Sequence, residues 1–151
     1  VRDDYDYVLI DCPPSLTLLT INALVAADSV LIPVQAEYYA LEGLGELLRT
    51  IQAVKRRMNP DLEREGIVIT MSDARNNLCR DVERQSRELF RAEVFTSVIP
   101  RNVRLGEAPS YGKSIVEYDP RSTGALAYVA LADELLAKHR GSTATPALEA
   151  S

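Results

Sequence analysis

The chain has 151 residues, 46% of them hydrophobic and 26% charged, and carries a net charge of −5. This is the composition of one globular domain, long enough to bury roughly 70% of its unfolded surface. No apolar run reaches the ~18–20 residues of a membrane span, no basic-then-apolar leader opens the sequence, and the overall acidity argues against a histone-like DNA binder. Tyr7-Val8-Leu9-Ile10, ending in Asp11, reads as a buried strand with a carboxylate at its C-terminal end. Pro13 and Pro14 break it, Ser15 is a candidate N-cap, and Leu16 to Ala27 follow as a helix. Ser29 to Val34 is the next strand, with Pro33 pointing to an edge or a bend. Leu41, Leu44, Leu47, Leu48, Ile51, Val54 and Met58 recur at helical spacing and predict a long amphipathic helix that ends near Asn59-Pro60.

Gly66 to Met71 predicts a third strand, Cys79 to Arg91 a helix and Val94 to Ile99 a fourth strand. Residues 101–114 read as irregular, Ile115-Val116 as a short strand, and Thr123 to Lys138 as a terminal helix. Strands that alternate with helices and read as continuous apolar runs predict an α/β fold. Its sheet should be mainly parallel with helices on both faces. Residues 1–140 are expected to form one domain and 141–151 (GSTATPALEAS) a disordered tail. Because the chain opens on Val1 with a strand already under way by residue 8, that domain is expected to be incomplete.

The strongest chemical signal is Asp11-Cys12-Pro13-Pro14 after the apolar run. Ligands of parallel α/β sheets sit beyond the carboxyl ends of the strands. A carboxylate there can hold a hydrated Mg²⁺, which prefers hard oxygen ligands, in the manner of a Walker B strand. The alternative is that Asp11 merely caps the next helix. Gly112-Lys113-Ser114 imitates a phosphate loop but fails the G-x-x-x-x-G-K-[ST] spacing, because position 107 is Glu. It also neither leaves a strand nor opens a helix. Residues 75–104 hold seven arginines against four acids. Arg80, Arg84, Arg87 and Arg91 fall within roughly 60° on a helical wheel, flanked by Arg75, Arg101 and Arg104. Such a row could track a nucleic-acid backbone without reading sequence. The alternative, which an isolated Arg-rich helix favours, is a solvated face laced to Glu83 and Glu88. Cys12 and Cys79 read as small core residues of a protein in a reducing compartment. His139 reads as a helix-dipole partner, and Tyr38-Tyr39 as packing residues.

YDYVLIDCPPSL, SVLIPVQAEYYALEGL, GIVITMSDAR and VIPRNVRLGEAPSYGKSI together resemble the C-terminal portion of the ParA/Soj-type chromosome and plasmid partition ATPases. These are deviant-Walker P-loop NTPases, with MinD as a cousin, and the resemblance runs from residue 5 to about 138. It implies a cytoplasmic, nucleoid-associated ATPase that uses ATP and Mg²⁺ and dimerises around ATP. That dimer would bind DNA without sequence preference and answer to a ParB-type centromere-binding partner. On the resemblance, Asp11 is the catalytic-site aspartate acting on Mg²⁺ through water. Cys12, Pro13 and Pro14 form switch II, Pro100 and Asn102 border the adenine, and Glu37 lies near nucleotide and dimer seam. Arg75, Arg101 and Arg104 face DNA. Extending that face to Arg80, Arg84, Arg87 and Arg91 comes from the helix arithmetic alone.

The family's glycine- and lysine-rich phosphate loop is absent from these residues. The chain by itself is therefore expected to hydrolyse ATP negligibly. With the strands that flank the Asp11 strand missing, it is also expected to be poorly stable or prone to associate. Two other readings stand beside this one. A MinD-like cell-division regulator would call for a basic amphipathic C-terminal helix, and GSTATPALEAS carries no Lys or Arg. A truncated, non-catalytic paralogue would keep only a DNA- or protein-binding surface. No membrane association is expected.

Overall fold

The computed structural model describes residues 4–13, 17–37 and 39–142. Pro14, the Ser15 cap, Tyr38 and positions 143–151 of the expected tail lie outside the described residues. Among the described residues six α-helices and three strands follow one another in the order α1 (Leu18–Ala26), β1 (Ser29–Gln35), α2 (Ala40–Arg57), β2 (Glu63–Ser72), α3 (Asn77–Phe90), β3 (Val94–Pro100), α4 (Val103–Glu107), α5 (Ile115–Tyr118) and α6 (Thr123–Ser142). The strands form one parallel sheet in the order β1-β2-β3. The expected α/β class and parallel sheet are what the chain adopts.

Side chains alternate across each strand with a period of two, and this divides the core. On one face Ile32, Val34, Ile67, Ile69 and Val94 pack against Leu24 of α1, Leu44, Ile51 and Val54 of α2, and Cys79 of α3. On the other face Val68, Phe95 and Ile99 pack against Leu131 of α6, with Leu31, Leu105, Ala127 and Leu135 around them. Three helices thus cover the first face, while α6 is the long helix on the second. Asn59 closes the end of α1: its side-chain amide donates to the carbonyls of Leu24 (3.1 Å), Val25 (3.2 Å) and Ala27 (2.8 Å). These carbonyls have no partner within their own helix.

β2 slips one residue against β1, since Val30 pairs with Arg64 and Leu31 with Gly66. Glu65 is the extra residue of this bulge. Gly66 beside it has φ +149°, and a Cβ there would stand 2.6 Å from the Phe95 ring and 2.8 Å from the Glu93 carbonyl. Only glycine meets both demands.

Several expectations are corrected. Tyr7–Ile10 is not a strand of the sheet and is not buried: Val8, Leu9 and Ile10 are 63, 89 and 51% exposed. An extended run is held by a neighbour's backbone, and none of the described strands lies beside this one. Cys12 on the same segment is exposed rather than in the core, whereas Cys79 is buried as expected. Tyr39 is 76% exposed rather than buried as a packing residue. Residues 101–114 hold α4 and a 3₁₀ turn at Ala108–Tyr111. Ile115-Val116 opens the one-turn helix α5 rather than a strand. Ser114 and Glu117 form a capping box there, so the Gly112-Lys113-Ser114 stretch does precede a helical turn. It still leaves a 3₁₀ turn and not a strand. Finally, α6 runs on to Ser142, past the expected start of the tail.

Candidate functional site

The carboxyl ends of three parallel strands converge on one edge of the sheet, the place where such sheets hold ligands. β1 delivers Ala36 and Glu37, β2 delivers Asp73 and Arg75, and β3 delivers Pro100, Arg101 and Asn102. Backbone bonds fix their register: the Ala36 amide donates to the Thr70 carbonyl at 2.9 Å and the Arg101 amide to the Ser72 carbonyl at 2.8 Å. The buried Cys79 thiol donates to the Ala36 carbonyl at 3.2 Å, tying the start of α3 to the end of β1. Asn102 works twice. Its side-chain oxygen accepts the Arg104 amide at 2.8 Å and so caps α4, while its nitrogen donates to the Thr123 hydroxyl at 2.7 Å at the start of α6.

The charges at this edge are paired. Arg101 meets Glu37 at 3.4 Å, both more than half exposed. The structure thus joins a residue expected near nucleotide to one expected to face DNA. Arg75 grips Asp73 through two 3.1 Å bonds, and with the Arg75 amide holds that carboxyl below its ordinary range. Arg104 bonds Glu107 at 2.8 Å and reaches Asp119 at 3.6 Å. By contrast, Asp11, Cys12 and Pro13 lie on the exposed segment outside the sheet. Among the described residues no hydrogen bond or ion pair joins them to Glu37, Pro100 or Asn102.

The arginine row divides. Arg84 bridges Asp81 (3.0 Å) and Glu88 (3.2 Å), and Arg80 bonds Asn77. Arg87 pairs with Glu83 at 3.1 Å and also donates to the carbonyls of Phe95 and Thr96. Arg91 lies beyond the last residue of α3, with φ +46°, so it leaves the helical row that spacing gave it. Within α3, Arg84 and Arg87 are laced to acids of their own helix, and exposed pairs of this kind are weak because water screens them.

Sequence reasoning missed a cluster at the opposite end of the sheet. Glu65, 8% exposed, receives Lys138 at 3.1 Å, His139 at 2.8 Å and the Ser29 hydroxyl at 3.2 Å. The other ring nitrogen of His139 meets the Tyr7 hydroxyl at 2.9 Å. Burial pushes the Glu65 carboxyl up, but the bonds and charges of His139 and Lys138 outweigh it and hold the group below its ordinary range. No local spacing signals this cluster, because its members come from the N-terminal segment, β1, β2 and α6.

Among the described residues no three His, Cys, Asp or Glu side chains gather as metal ligands. The exposed Asp11 carboxylate has the hard-oxygen chemistry of a hydrated Mg²⁺, but one carboxylate is not a complete site.

The family described as "AAA domain" matches residues 1–64. The chain is 59% identical over 137 residues to the sporulation initiation inhibitor protein Soj of Bacillus subtilis, covering 91% of this chain and 54% of that protein. It is 57% identical over 133 residues to the chromosome partitioning protein ParA of Myxococcus xanthus, covering 88% and 47%. Its fold matches cobyrinic acid a,c-diamide synthase from Mycobacterium smegmatis with bound ADP and magnesium (TM-score 0.73, 36% identity, 97% of this chain, 53% of that one). It also matches the cell division ATPase MinD of Pyrococcus furiosus (TM-score 0.69, 25% identity, 91% and 54%). The chain spans about half the length of the curated relatives it matches. Over about nine-tenths of its own length, then, the chain is similar in sequence to the chromosome-partitioning proteins Soj and ParA, and its parallel sheet has a P-loop NTPase fold.

Proposed function

We propose that these residues are part of a chromosome- or plasmid-segregation ATPase whose complete form dimerises around ATP and Mg²⁺. The dimer binds DNA without sequence preference and responds to a ParB-type partner. The observation that carries this reading is the 59% identity over 137 residues to Soj. It is supported by the strand ends that bring Glu37, Arg101 and Asn102 to one edge, and by a similar fold crystallised with ADP and magnesium. In this reading Asp11 would act on Mg²⁺ through water, Cys12, Pro13 and Pro14 would form the segment that responds to the nucleotide, and Pro100 and Asn102 would border the base. Arg75, Arg101 and Arg104 face the phosphates of DNA, with Arg80, Arg84 and Arg91 as weaker contributors. The protein acts in the cytoplasm, on the nucleoid. Among the described residues no helix is long and apolar enough to cross a membrane.

The isolated chain is expected to show negligible ATP turnover, since no phosphate-loop spacing occurs in its sequence. A turnover that survives purification and vanishes in Asp11→Ala would overturn that. With the rest of the protein supplied, DNA affinity should need ATP and fall steeply with salt, because each phosphate contact releases counterions. Arg75→Ala with Arg104→Ala should weaken all DNA sequences alike while ATP binding persists. Unchanged DNA affinity in a protein lacking Arg75, Arg80, Arg84, Arg91, Arg101 and Arg104 would refute the surface. The likeness to MinD favours a second reading, a cell-division regulator on a lipid surface. ATP-dependent sedimentation with anionic vesicles, without DNA binding, would select it.

A further inference from the structure

Among the described residues β3 is an edge strand of the sheet, and it is irregular at its middle. Between the pairs Ile67↔Val94 and Ile69↔Val98, β3 carries two more residues than β2, so Phe95–Ser97 bulge from the ladder. A bulge on an edge strand leaves N–H and C=O groups without strand partners. Exposed groups of this kind are what another chain's strand pairs with.

Here they are taken by side chains from both layers. Glu134 of α6 accepts the Thr96 amide at 2.6 Å on one oxygen. On the other it accepts the Ser97 amide at 2.8 Å and the Ser97 hydroxyl at 2.7 Å. Arg87 of α3, on the opposite face of the sheet, donates to the Phe95 carbonyl at 3.1 Å and the Thr96 carbonyl at 3.4 Å. Glu83 holds the Arg87 guanidinium in place at 3.1 Å. Burial pushes the Glu134 carboxyl up, but the bonds from Thr96 and Ser97 prevail and keep it below its ordinary range. Two consecutive amides and two consecutive carbonyls are occupied, one pair by an anion and one by a cation.

We propose that Arg87 and Glu134 seal the bulged outer edge of β3 against pairing with a strand from a second copy of this chain. The seal draws on both helix layers, so it closes only when α3 and α6 are docked. It also assigns Arg87 to backbone carbonyls rather than to DNA phosphates, separating it from Arg80 and Arg84 on the same helix.

Two measurements on the chain test this. In the first, Glu134→Gln, nearly identical in shape, is followed by amide hydrogen exchange. Thr96 and Ser97 are expected to exchange at least tenfold faster, with Val98 and Ile69 unchanged. In the second, Thr96→Cys is placed on a Cys12→Ser background and oxidised with copper–phenanthroline, with and without Arg87→Ala plus Glu134→Ala. Crosslinked dimer is expected to rise at least tenfold in the unsealed variant at equal concentration. A thiol at position 96 reports association through β3 and not through β1. Unchanged exchange at Thr96 and Ser97, or an unsealed variant that keeps its circular dichroism spectrum yet crosslinks no more than its parent, overturns the proposal. Should the double substitution unfold the chain, the exchange experiment on Glu134→Gln decides alone.

Discussion

Two apolar regions of this molecule end in opposite environments. In the sheet, Ile32, Val34, Ile67 and Ile69 are at most 4% exposed, while Val8, Leu9 and Ile10 on the N-terminal segment are more than half exposed. Their side chains are of the same kind. The difference is that β1, β2 and β3 each have a neighbour for the backbone and a helix for at least one face, and the segment has neither among the described residues. It is tethered through Tyr7 to His139. Apolarity therefore creates a demand for burial, and topology decides whether it is met.

That contrast can be broken most directly in the core. Ile69→Ala is expected to cost about 2–5 kcal/mol, whereas Leu9→Ala should stay within about 0.5 kcal/mol, as for surface positions. Urea unfolding of both variants checks this, and equal costs would show that the segment is packed in solution. Next in size, Gly66→Ala forces a Cβ into Phe95 at a positive φ and should cost about 1–3 kcal/mol. Thermal unfolding compared with Gly45→Ala, where a Cβ meets nothing within 4 Å, separates the clash from helix and strand propensity.

The third variant, Glu65→Gln, probes the tether. It removes a carboxylate that serves three partners and should cost about 1–3 kcal/mol. The sign of its pH dependence follows from the folded pKa lying below the ordinary 4.5. The stabilisation is fully present above the unfolded value and is lost as pH falls through the folded one. Parent and variant should therefore differ most near neutrality and converge in acid, and a difference that grows in acid would contradict the ion-pair reading. The smallest effect belongs to Arg84→Ala, whose exposed pairs with Asp81 and Glu88 are screened by water and should lose what they contribute in high salt.

Much of the architecture was readable in advance because period-two and period-3.6 patterns are local. The SVLIPV, GIVITM and VFTSVI runs all became strands of the parallel sheet, and α2 and α3 lie within about two residues of their expected bounds. The segment ending at Asp11 misled because its pattern announces a strand without saying whether a neighbour exists. Ser114 and Glu117 make a capping box that the sequence displays in its S-x-x-E spacing, a local signal for the turn of α5. The strand-end placement of Glu37 and Asn102 could be anticipated from order alone. The Glu65 cluster and the grip of Glu134 on β3 could not, since residues 74 or 37 positions apart meet only after α6 docks.

α6 is fastened at three heights: to Asn102 at Thr123, to the β3 backbone at Glu134, and to Glu65 at Lys138 and His139. From Thr123 to His139 is about 24 Å at 1.5 Å per residue. An inserted or deleted residue anywhere between two anchors turns everything beyond it by about 100°. No single slip can then satisfy all three. Length variation in relatives of this chain should accordingly fall outside the stretch from Thr123 to His139, leaving that part of α6 a segment whose residue count is inherited unchanged.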